Sequence, residues 1–233
     1  MTRVAIMQPT YLPWCGYFGL MQAVDIFIFL DSVQFAKRSW QQRNQIKTAK
    51  GAQWLTAPVA SKGKRNQLIC ETKLDDSSNF ASKHRKSIEN NYAKAPWFKD
   101  LGPDLLARFE GQMLLADLNI GIIEHCHNLL GIKATVLRSS LMQSKGPKAE
   151  LLASLCKEVG ATEYISVPGS KCYLDECSVF EDIGVPVSYF NYRHPEYPQL
   201  FGDFLPYMSV IDMLFNCGEQ SADLIRSGIE VRI

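Results

Sequence analysis

The densest chemistry in the sequence lies between two residues, Asp31 and Asn44. The stretch opens on a carboxylate. It then brings Gln34, Lys37, Arg38, Gln41, Gln42, Arg43 and Asn44 into eleven residues, with Phe35 and Trp40 among them. Guanidinium and ammonium groups beside amides and flat rings suit a phosphate or carboxylate that carries a planar or sugar group. The plainer alternative is a solvated loop anchored by its aromatics.

Two further stretches are of interest. Gln8 to Gly16 holds Gln8, Thr10, Tyr11 and Trp14 between two prolines and a glycine, with Tyr17 just beyond and no charge. It lacks both the G-x-G-x-x-G fingerprint and G-K-[ST], so no dinucleotide or P-loop signature is present. Such a rigid loop can hold a ring by stacking, or it can plug the core. Ser166 to Tyr173 carries a small-residue turn, Pro168-Gly169-Ser170, followed by Lys171 and Tyr173. Backbone N–H groups in a turn of this kind can receive an anion. Lys145-Gly146-Pro147-Lys148 precedes an expected helix start, which is a second anion-favouring arrangement.

The histidines are few. His194, in Tyr192 to Gln199, is placed to act as a general base or a substrate clamp, with Tyr197 nearby. A His-Pro turn held by structural hydrogen bonds is the equal alternative. His84, in Lys83-His84-Arg85-Lys86, reads as part of an exposed helix face. His125-Cys126-His127 lies within a helical pattern, where adjacent residues point apart, so a helix interior outweighs a metal site. The seven cysteines are scattered without a C-x-x-C pair. They read as reduced thiols, with neither a disulfide nor a structural metal expected. No G-x-S-x-G or H-E-x-x-H occurs, so a serine hydrolase or zincin has no local support.

These residues need strands and helices to carry them. Val4–Met7 and Asp25–Asp31 read as short buried strands joined through a helix. Gln53–Val59 and Gln67–Leu74 read as two strands around a polar loop, Ser61 to Arg65. Ser78–Tyr92 and Pro103–Leu130 read as two helices. The α/β rhythm then returns: strand Ala134–Leu137, helix Lys148–Val159, strands Glu163–Val167 and Val185–Phe190, and a Ser-capped helix over Ser209–Asn216. The expected fold is one α/β domain over residues 1–233. Its doubly wound, mostly parallel Rossmann-like sheet has a mostly helical insertion at 75–130. Ligands of such sheets bind outside the carboxyl ends of the strands, where all three loops fall.

The whole-chain numbers set limits on function. In 233 residues, 46% are hydrophobic and 21% charged, with net charge +1 and pI near 7.6. That excludes a disordered or fibrous chain, and it argues against general coating of nucleic acid. No apolar run approaches the roughly 18 residues of a membrane span, and the N-terminus has no signal-peptide pattern. A cytoplasmic location is expected.

Several motifs carry a family resemblance. They are Met7-Gln8-Pro9-Thr10-Tyr11-Leu12-Pro13-Trp14-Cys15-Gly16-Tyr17-Phe18, the Asp31–Asn44 stretch, His194-Pro195-Glu196-Tyr197-Pro198-Gln199, and Met208 to Gly218. Together they resemble the WbqC-like family along nearly the whole chain. That family is associated with bacterial surface-polysaccharide gene clusters, and its members look like enzymes that decorate sugars with amino-acid or acyl groups. The layout also resembles the start of pantothenate synthetase-type nucleotidyltransferases, although the H-x-G-H signature is missing at Pro13-Trp14-Cys15-Gly16.

The resemblance implies a cytosolic transferase or ligase joining an amino-acid or acyl group to an amino sugar or sugar-nucleotide acceptor. The alternative is a non-catalytic sugar-nucleotide or polysaccharide-binding module. In the enzyme reading, Asp31 or His194 relieves the attacking amine of its proton, and Lys37, Arg38 and Arg43 hold phosphates. Gln8, Gln34, Gln42 and Asn44 orient the substrate, with Tyr11, Trp14, Ser170, Lys171, Tyr173 and Tyr197 completing the pocket. The cofactor is left open; ATP with Mg²⁺ is compatible. The expected partner is a small, sugar-linked molecule rather than nucleic acid or a membrane, and the oligomeric state is undetermined.

Overall fold

The computed structural model describes residues 1–64 and 66–230. Five strands form a parallel sheet: β1 (Arg3–Met7), β2 (Ile26–Phe29), β5 (Thr135–Arg138), β6 (Glu163–Ser166) and β7 (Val187–Tyr189). Their order across the sheet is β5-β2-β1-β6-β7. The chain winds one way from β1 through β2 to β5, then crosses back to β6 and β7. The winding therefore reverses at β1, which makes the β1/β6 strand ends the switch point of a Rossmann-like sheet.

Alternation explains why these short strands hold. Val4, Ile6 and Ile28 enter one apolar core, with Leu152 and Leu155 of α5 (Lys148–Glu158) and Phe180 of α7 (Val179–Asp182). Ala5, Phe27 and Phe29 enter the other, with Phe18 of α1 (Cys15–Gln22), Ile122 of α4 (Leu115–Leu129) and Phe215 of α8 (Val210–Cys217). A strand covered on both faces must be apolar at every position, as Ile-Phe-Ile-Phe of β2 is. Each fully buried Phe or Ile contributes about 1.5–3 kcal/mol.

The connection from β2 to β5 carries the largest departures from the sequence reading. A hairpin does occur, but it pairs β3 (Arg43–Thr48) antiparallel with β4 (Gly51–Thr56). Gln67–Leu74 is not a strand. It holds a 3₁₀ turn at Ile69–Glu71 and isolated bridges such as Val59 with Leu74. The expected single helix from Pro103 to Leu130 is two, α3 (Phe98–Ala107) and α4. They are separated by a turn in which Gly111 adopts φ +72°. That left-handed geometry suits glycine and ends the helical run. α2 (Phe80–Tyr92) lies as expected. The remaining short elements are α6 (Lys171–Leu174), α9 (Ser221–Ser227), and the pair β8 (Asn191–Tyr192) and β9 (Ile229–Glu230). Ser209 caps α8, its Oγ accepting from the Ile211 N–H. Among the described residues, no helix is long and apolar enough to cross a membrane.

Candidate functional site

Three adjoining hollows open at the carboxyl ends of β1 and β6. The first, about 260 Å³, is walled by Met7, Thr10, Trp14, Tyr17, Trp40, Asn44 and Tyr207. A second, about 290 Å³, shares Met7, Thr10 and Trp40 with it and adds Gln8, Ser39, Gln41, Ser166, Ser170 and Tyr173. The third, about 360 Å³, shares Met7, Trp14 and Tyr17 with the first and runs under Val167, Pro168 and Tyr192. One wall is aromatic; another is a row of hydroxyls. Ser166 Oγ lies 2.6 Å from Ser170 Oγ and donates to Tyr164 Oη at 3.2 Å. Larger hollows lie over α2 and beside Arg193, but no residue of the five-stranded sheet lines either.

The loops around this cleft are tied to one another. The Tyr11 N–H donates to Trp40 O at 2.9 Å, and the Val210 N–H donates to Pro13 O at 2.7 Å. Asn119, fully buried on α4, donates through Nδ2 to Pro9 O at 3.0 Å and to Gln41 O at 2.7 Å. One side chain therefore clamps both loops. Three non-glycine residues of these loops take left-handed backbone: Leu12 (φ 47°), Arg38 (φ 61°) and Tyr207 (φ 62°). Each such residue costs of order 1–3 kcal/mol and persists only where its surroundings impose it.

Several expected site residues meet at the cleft. Gln8, Trp14, Asn44, Ser170 and Tyr173 wall it. Lys37 and Arg38 are exposed on the loop whose Ser39 and Trp40 line it, and among the described residues neither has an ion-pair partner. Lys171 is also exposed, with Nζ 5.6 Å from the centroid of the Tyr189 ring. Gln34 is exposed on the same stretch and bridges to Leu68.

Several expected residues, Asn44 of the cleft wall among them, have partners within the chain. Gln42 is buried, its Oε1 accepting from the Arg38 N–H at 3.0 Å and its Nε2 donating to Ala57 O at 3.2 Å. Asn44 Nδ2 donates to Leu12 O at 2.7 Å. These amides satisfy backbone that would otherwise be buried unpaired. Tyr11 is fully buried, with Oη 2.6 Å from His84 Nδ1. His84 is therefore not on an exposed face. Its burial pushes its pKa down to about 4. The Arg43 guanidinium lies over the Trp54 ring, 4.5 Å from its centroid.

Both expected proton acceptors are occupied. Asp31 is fully buried, and its carboxylate takes four donors: Arg138 Nε at 2.9 Å, the Ser140 N–H and Oγ at 2.8 Å each, and Ser139 Oγ at 3.2 Å. Arg138 also reaches Asp117 at 2.7 Å. Asp31 thus ties the end of β2 to the end of β5. His194 Nδ1 lies 2.9 Å from Pro195 O, which can only accept, so this nitrogen carries the proton. Nε2 accepts the Tyr207 N–H at 3.1 Å and lies 3.3 Å from Cys15 Sγ. The imidazole stacks behind Trp14 at 5.9 Å and beside Tyr197 at 6.2 Å, and burial lowers its pKa. Burial pushes the Cys15 thiol up to about 12, which keeps it protonated. Tyr197 is buried and is not among the residues walling the cleft.

The sequence reading missed Met7, Trp40, Ser166 and Tyr207 as wall residues. It also missed a signal that requires only counting. Between Asp31 and Glu71 there are eight Lys and Arg residues and no Asp or Glu. That basic run covers the second loop and the β3–β4 hairpin. Among the described residues, no three His, Cys, Asp or Glu side chains converge as metal ligands.

Fold and site together define an α/β protein of Rossmann-like layout whose cleft opens at the switch point beside a basic, Trp-bearing hairpin. The chain belongs to the WbqC-like protein family, whose sequence model matches residues 8–224. It is similar to the uncharacterized protein Rv1507c of Mycobacterium tuberculosis (strain ATCC 25618 / H37Rv). The two are 39% identical over 229 residues, 97% of this chain and 98% of that protein. No solved structure matches the chain.

Proposed function

We propose that the protein is a transferase or amide-forming ligase of surface-polysaccharide biosynthesis. It joins an activated amino-acid or acyl group to an amino sugar, or to an amino sugar carried on a nucleotide. The observation that carries this reading is the branched cleft: an aromatic hollow and a hydroxyl-lined hollow that share Met7, Thr10 and Trp40. Two small molecules seated in adjoining hollows react as neighbours, and orientation alone supplies a large part of such a rate. The nucleotidyltransferase-like layout expected from the sequence belongs to the same reading.

The chemistry asks little of a base. The sugar amine forms the new N–C bond, the bond from the acyl carbon to its leaving oxygen breaks, and the proton goes to solvent or to the departing anion. This is consistent with Asp31 and His194 being engaged in ties of their own. The exposed cations Lys37 and Arg38 suit an anionic leaving group or a phosphate-bearing acceptor. The same occupied acceptors favour a second reading, a module that binds a sugar-linked ligand and turns nothing over. Incubation with amino acids, ATP·Mg²⁺ and uridine-diphosphate amino sugars, followed by mass spectrometry, separates the two. An amide product supports the enzyme. A thermal shift without product supports the module. Neither product nor shift would overturn both.

A further inference from the structure

The surface beside the cleft has features that the reaction alone does not require. Trp40 is 53% exposed and Trp54 is 43% exposed. Their ring centroids lie 5.4 Å apart at 38°, and the Arg43 guanidinium sits on Trp54. Large exposed aromatics held next to one another mark a surface that receives something. Trp40 also walls two of the three hollows. Its loop is held by the Tyr11 and Asn119 hydrogen bonds, and Arg38 is fixed in left-handed backbone under Gln42. Both rings belong to the stretch between Asp31 and Glu71, which holds eight cations and no acid in sequence.

We propose that this surface is a nucleotide subsite, with Trp40 stacking a nucleobase and Lys37, Arg38 and Arg43 receiving its diphosphate. The proposal rests on the cleft's being the small-molecule site, and it assigns the carrier half of the acceptor. Every base has a π face, so an exposed indole at a cleft mouth recognises it without base-edge contacts. Guanidinium groups match phosphate oxygens in a two-pronged fork. A neutral pyranose would also stack on indole, but it would leave the cations unanswered. Charge complementarity therefore selects the diphosphate.

Calorimetry on the full chain with uridine diphosphate, adenosine diphosphate, inorganic pyrophosphate and N-acetylglucosamine tests the proposal. A nucleoside diphosphate should bind more tightly than pyrophosphate. Trp40→Ala should weaken nucleotide binding about tenfold or more and leave pyrophosphate unchanged, whereas Trp40→Phe keeps most of the affinity. Replacing Lys37 and Arg38 together by Ala should weaken both ligands. Nucleotide affinity unmoved by Trp40→Ala would overturn the subsite. So would N-acetylglucosamine binding where nucleotides do not, or binding to phosphatidylglycerol vesicles alone. Amide formation from a nucleotide-free amino sugar, without nucleotide affinity, would overturn the subsite and spare the transferase. Nucleotide binding at Trp40 with no product from any donor would do the reverse.

Discussion

A Cβ placed on Gly16 would overlap the Trp14 indole, so the ring lies where it does only because residue 16 lacks a side chain. Trp14 walls two of the three hollows. Gly16→Ala should therefore push the indole out of place and weaken ligand binding severalfold. Folding should persist, as residue 16 lies in the first turn of α1, where alanine is a good helix former. Ligand titration with a parallel melting curve checks this. Unchanged affinity would remove Trp14 from the site. Asp31 gives the opposite expectation. Asp31→Asn breaks a buried charge-paired tie and should cost roughly 3 kcal/mol of stability in a denaturant melt. If the variant instead melted normally and lost turnover, Asp31 would be the base after all. Residue types alone could not distinguish these roles. Asp31, Gln42 and Asn44 were legible as groups able to hydrogen-bond. Whether they bond a ligand or the chain's own backbone depends on where folding points them.

At the scale of elements, α2 is fastened to the first loop by His84 and Tyr11. Folded His84 titrates near 4, while an unfolded histidine titrates near 6.5. The folded-state value is depressed, so the fold binds fewer protons than the unfolded chain between these limits. Stability is complete above about pH 6.5 and falls as pH drops towards 4, by about 3 kcal/mol over the window. His84→Gln should flatten that part of the profile in urea melts at pH 7 and 4.5. Equal pH dependence in the two proteins would deny the tie.

Elements also show where sequence patterns suffice. β1 and β2 were legible because residues covered on both faces must form short apolar runs. The β3–β4 hairpin was not, since Arg-Asn-Gln-Ile-Lys-Thr buries Asn44, Ile46, Lys47 and Thr48, of which only Ile46 is apolar. Lys47 is buried because its Nζ donates to Gly202 O and Asp203 O. The false strand at Gln67–Leu74 and the unbroken helix through Gly111 arose from apolar spacing that tertiary contacts and one left-handed glycine override.

The whole molecule carries a net charge of only +1, yet the residues between Asp31 and Glu71 hold eight cations and no acid. The near-neutral total therefore conceals a polarised chain. A field of this kind draws an anion towards the hairpin and is screened over roughly 10 Å at 0.1 M salt. Binding of a nucleoside diphosphate should weaken steadily between 50 and 500 mM salt, approximately. Binding of an uncharged sugar should not. Salt-independent diphosphate affinity would mean that the exposed cations take no part.

The left-handed residues Leu12, Arg38 and Tyr207 also bear on how the protein would respond to engineering. All three lie in the loops that frame the cleft, and none has the side chain that such backbone favours. Glycine or asparagine at Arg38 or Tyr207 would relax the chain. A thermostability screen blind to ligand binding would therefore be rewarded for removing the Arg38 and Tyr207 side chains from the loops around the cleft. Heat-selected variants at Arg38 and Tyr207 would be sturdier proteins with poorer sites.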